Sequence, residues 1–146
     1  MKFLNDPILK DGTNLQTKLD ALTTASKTRV VEVLLNASTA LATTDKAYFR
    51  IPAFLNGATL TAVSAMCLGA SSSGIPTFTV KRGATSMLTT NLTIDASETD
   101  SSTAATPAAI DGANNTVSTG QQIEVAVSVS GTGVTYAVVE LTFVAP

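Results

Sequence analysis

The sequence predicts an all-β domain, an antiparallel two-sheet β-sandwich of jelly-roll type with about eight strands, behind an N-terminal arm that carries a short helix. Three observations predict it. From Arg29 onward, apolar residues recur at every second position in short runs, the period of a strand with one buried face. Turn residues such as Asn56-Gly57, Arg82-Gly83, Asp111-Gly112 and Ser130-Gly131-Thr132-Gly133 punctuate those runs, at spacings of roughly 8 to 15 residues. The side chains are also light. Aromatics make up 5% of the chain and tryptophan is absent, whereas Ser and Thr together supply roughly a quarter of positions, well above ordinary usage.

Residues 1–28 read as the arm and 29–146 as the sandwich. In the arm, Phe3, Leu4, Ile8 and Leu9 are isolated apolar points on a polar segment that cannot bury them locally, as expected of a docking segment. Asn14 can cap a short helix whose residues Leu15, Leu19 and Leu22 form one apolar stripe. The stripe either packs on the sandwich or builds a brief parallel bundle between subunits, and two heptads are too few to choose. The first strand sets Val31, Val33 and Leu35 on one face and Val30 and Leu34 on the other. Covered on both sides, it suggests a subunit contact.

Tyr48 to Leu55 is the second strand, with Phe49 and Ile51 inward and Pro52 marking an edge or bulge. Asn56-Gly57 turns into a third, Ala58 to Leu68. Phe78 and Val80 mark a fourth; Leu88, Leu92 and Ile94 a fifth, with Thr89, Asn91 and Thr93 outward. Asp95 to Thr106 is a long polar loop, and a short strand follows near Ala108 to Ile110. Ser118 to Val144 reads as one β-hairpin. Ile123, Val125, Val127 and Val129 would share a buried face with Ala137, Val139, Leu141 and Phe143.

Several function classes lose support. Charged residues are 14% of the chain, the net charge is −2, and no basic cluster exists, so nucleic acid is not an expected partner. No histidine is present, which removes most hydrolase triads and zinc sites. Cys67, the single cysteine, reads as a small buried strand residue. Asp95, Glu98 and Asp100 share one loop, yet their spacing matches no calcium motif, so a solvated loop is expected. Gly131-Thr132-Gly133 is a turn rather than a phosphate loop. No signal peptide, membrane span or cofactor motif is recognisable.

Two stretches carry a resemblance. They are Ile51-Pro52-Ala53-Phe54-Leu55-Asn56-Gly57-Ala58-Thr59-Leu60-Thr61-Ala62-Val63, and the later run through Ala104-Ala105-Thr106-Pro107, Asn114-Asn115 and Val117-Ser118-Thr119-Gly120 into Ile123-Glu124-Val125-Ala126-Val127. Over about Arg29 to Phe143 the chain resembles the small jelly-roll virion proteins of tailed phages, which occur as head decorations, head fibres or tail-fibre tips. The resemblance implies a non-enzymatic structural protein located in the virion and made in the host cytoplasm, without catalytic residues or cofactors. It also implies a homotrimer that contacts the major capsid protein or other virion proteins. On that expectation Phe3, Leu4, Ile8 and Leu9 dock the arm, and Leu15, Leu19, Leu22, Val30 and Leu34 line the subunit interface. The alternative is a receptor- or carbohydrate-binding tip for a host surface glycan, with Tyr48 and Tyr136 as its aromatic candidates.

Overall fold

A computed structural model describes residues 17–18, 20–21 and 27–146. Thr17, Lys18, Asp20 and Ala21 are helical. The expected docking residues Phe3, Leu4, Ile8 and Leu9, and the stripe Leu15, Leu19 and Leu22, lie outside the described residues.

Alternation of apolar and polar side chains gives β1 (Thr28–Ala40), β2 (Lys46–Arg50), β3 (Thr59–Cys67) and β4 (Thr77–Arg82). The short pieces β5 (Thr85–Ser86), β6 (Leu88–Thr90), β7 (Leu92–Thr93) and β8 (Ala109–Ile110) follow, then β9 (Gln122–Val129) and β10 (Thr135–Val144). One sheet has the order β1-β10-β3 and the second β2-β9-β4-β5, with β7 also on β4, while β6 and β8 form a small ribbon. Every pairing is antiparallel. From β1 to β4, and again from β9 to β10, successive long strands change sheet and so lie on opposite sides of the core, whereas β4 and β9 pair side by side.

That core fills from both sheets. Val33, Leu60, Ala137, Val139, Leu141 and Phe143 come from the first, and Phe78, Val80, Ile123, Val125 and Val127 from the second. Leu55, Met87, Ile94 and Val117 close its ends. Pro52 leads not into more strand but into a 3₁₀ turn, Ala53–Leu55, that buries Leu55. Gly57 then reverses the chain at φ +76°.

The expected hairpin is not formed. Its strands and its inward residues are those anticipated, apart from Val129, which is exposed. Yet β9 pairs with β2 and β4, and β10 pairs with β1 and β3. A face-to-face pair buries the same alternate positions as a side-by-side pair, so period alone could not separate them. The segment between them is a corner joining the sheets, built around the buried Ser71. Its hydroxyl lies 2.6 Å and 2.8 Å from the carbonyls of Ser73 and Gly74 and accepts the Thr132 N–H at 3.1 Å. The expected fifth strand also divides. Leu88, Leu92 and Ile94 are buried as anticipated, but β6 leaves to pair with β8 while β7 stays on β4.

Candidate functional site

Alternation on β1 gives the site its first two residues. Val33 turns inward, with Val31 and Leu35 half-buried beside it, and Val30 and Leu34 are left 53% and 47% exposed. Register then extends this pattern across the sheet. Leu34 stands beside Val138, which stands beside Met66; Val30 stands beside Thr142 and Ala62; between these rows Glu32 stands beside Glu140 and Ser64. The outer face of the β1-β10-β3 sheet is therefore an acidic row flanked by apolar ones. Glu32 and Glu140 are directly opposed like charges, an arrangement that costs rather than stabilises. They line a shallow cleft of about 160 Å³ with Met66, Val138, Ser64 and Asp100.

The outer face of the second sheet differs in sign. Lys46, Tyr48 and Arg50 project from β2, Glu124 from β9 and Lys81 from β4. Glu124 lies 4.0 Å from the Lys81 ammonium. Its hydrogen bond raises the Tyr48 hydroxyl above the ordinary tyrosine range, with slight desolvation and the Glu124 charge adding to it. The Arg50 guanidinium donates to the Gly120 carbonyl at 3.3 Å and 3.1 Å.

Among the described residues no catalytic grouping comes together. Cys67 is buried, and desolvation pushes its thiol up, away from the thiolate that a nucleophile requires. The three loop carboxylates tie the loop together rather than forming a merely solvated patch, two through backbone N–H groups and one through a side chain. Asp95 accepts the Ala105 N–H at 2.8 Å, Asp100 the Ser102 N–H at 2.6 Å, and Glu98 the Thr103 hydroxyl. Among the described residues no group of His, Cys, Asp and Glu side chains is placed to hold a metal, and no helix is long and apolar enough to cross a membrane. Of the tyrosines, Tyr48 is exposed on the second sheet. Tyr136 is half-buried in the first, at φ +51°. They do not share a platform.

The positions that sequence reasoning missed are Met66, Val138, Glu32 and Glu140. Their signal was present in the alternation of β1 and β10, but only the strand pairing brings them together.

No family model matches the sequence, and no curated protein matches it. Among solved structures the fold is similar to a chain in the cyanophage Pam1 capsid asymmetric unit. The TM-score is 0.52 and the identity 15%, over 82% of this chain and 85% of that one. At that identity the likeness establishes a shared fold.

Proposed function

We propose that the chain is a non-enzymatic structural protein of a phage virion, a capsid decoration or head-fibre protein. One observation carries the reading: the sandwich shares its fold, over most of both chains, with a chain from a capsid asymmetric unit. The alternation of β1 to β4 between the sheets, with β9 and β10 inserted between earlier strands, fits jelly-roll wiring. Exposed apolar side chains on one sheet face, Val30, Leu34 and Met66, fit a domain that works by contact. In this reading three copies associate through Val30 and Leu34, with Leu15, Leu19 and Leu22 beside them, and Phe3, Leu4, Ile8 and Leu9 attach the arm to the major capsid protein or another virion protein. The receptor-binding alternative has less support, since the two tyrosines it relies on lie on different sheets.

Deleting Met1 to Lys27 tests the division of labour. The shortened chain is expected to keep the far-ultraviolet dichroism and dispersed amide spectrum of a folded β-domain, and to be absent from purified particles. Incorporation at the normal level would remove the docking role from the arm.

A further inference from the structure

Sheet edges attract strands unless they are blocked. The β3 edge is blocked: Leu60 N–H donates to the Asn115 carbonyl, Ala65 N–H to Ser101 Oγ and Cys67 N–H to the Thr99 carbonyl, each at 2.9 Å. Beyond β4, the second sheet ends in β5 and β7, of two residues each. The other two edges, β1 and β2, are consecutive strands joined by residues 41–45, so both open on one side of the sandwich.

The direction of their backbone groups follows from two hydrogen bonds. Ala145 N–H donates to the Lys27 carbonyl at 2.9 Å, continuing the β1–β10 register. In an antiparallel ladder, bonded and non-bonded pairs alternate. Arg29, Val31 and Val33 therefore bond β10, and the N–H and C=O groups of Val30, Glu32 and Leu34 point away from the sheet. Ile51 N–H likewise donates to the Gln121 carbonyl at 2.9 Å, continuing the β2–β9 register. Lys46, Tyr48 and Arg50 then point outward from β2. Among the described residues, these six positions have no strand beyond them.

Their side chains are complementary. The β1 edge reads apolar, acidic, apolar through Val30, Glu32 and Leu34, with Glu140 behind Glu32. The β2 edge reads basic, aromatic, basic through Lys46, Tyr48 and Arg50. A β1–β1 pair that matched Val30 to Leu34 would set Glu32 against Glu32, and a β2–β2 pair would gather Lys46 and Arg50 together; both juxtapose like charges. We infer that copies of this chain join edge to edge, β1 of one against β2 of the next, with Glu32 opposite Tyr48, the long Lys46 and Arg50 side chains reaching Glu32 on the diagonals, and the Tyr48 ring lying between Val30 and Leu34. Because both edges open on one side, this head-to-tail contact can close into a ring. The inference rests on the proposed self-association and names its second surface, on β2.

The test uses the full chain in solution. Sedimentation reads its mass, and hydrogen exchange reads the amides of Glu32, Leu34, Tyr48 and Arg50. The expected result is an oligomer in which these amides are slow. Glu32→Lys alone, or Lys46→Glu with Arg50→Glu, should weaken association about tenfold or more, and combining all three should restore it. An oligomer whose edge amides exchange as fast as loop amides, or a combined variant as weak as its parents, would overturn the edge contact while leaving the trimer standing. If a variant fails to fold, the exchange pattern of the unmodified chain decides. A chain that stays monomeric at about tens of micromolar removes the trimer and the edge contact together.

Discussion

At Gly131 one methyl group decides whether the two sheets can be joined. A Cβ there would lie 2.5 Å from Ser71 Oγ and 3.1 Å from Pro76 Cγ, at φ +68°. Gly133 also has positive φ, at +82°, but nothing lies within 4 Å of its Cβ position. Gly131→Ala is therefore expected to lose about 1–3 kcal/mol more than Gly133→Ala, since both incur the left-handed strain and only the first collides. Urea midpoints of the two variants measure the difference. On β9, Val125 is fully buried and Glu124 faces outward beside Lys81. Val125→Asp should unfold the domain by burying an unpaired charge, and Glu124→Gln should stay within about 0.5 kcal/mol; similar thermal midpoints would mean that the faces are reversed. Asp100 supplies a pH prediction. Hydrogen bonds from the Ser102 side chain and N–H hold its carboxyl below the usual 3.8. A depressed carboxyl stabilises the fold fully above its unfolded value, and that stabilisation is lost as pH falls through the folded one. The Ser102 amide resonance should move as the cap is protonated, and the shift should be missing in Asp100→Asn.

Single elements were legible in the sequence to the extent that burial alternates along them. The inward sets of β4, β9 and β10 follow from period two, because Phe78, Val125 and Leu141 each have polar neighbours on both sides or face the opposite sheet. Val30 and Leu34 were legible as a second apolar face for the same reason. Pairing was not legible. Whether β10 lies beside β9 or opposite it depends on the corner at Ser130 to Val134, where the Ser71 hydroxyl, 61 residues before Thr132, accepts the Thr132 N–H. The cleft at Glu32 and Glu140 was hidden for a related reason, since these residues lie on strands at the two ends of the sequence and meet only through the β1–β10 register. The fate of the expected fifth strand turned on β8, a two-residue partner too short to carry a pattern of its own.

For the whole molecule, the order of strands sets when the proposed contact surface comes into being. Among the described strands, the middle one of the first sheet, β10, is synthesised after all the others, and β1 and β3 on its flanks are among the first. Pairings this distant in sequence form slowly. Until Thr135–Val144 leaves the ribosome, neither flanking strand has its partner, and Val30, Leu34, Val138 and Met66 are not assembled on one face. A chain stopped after Gly133 should therefore remain unfolded and precipitate, whereas adding a peptide spanning Val134 to Pro146 should rescue soluble material. Emergence of β10 would then mark the moment at which the proposed contact surface exists, so that half-made copies cannot join one another.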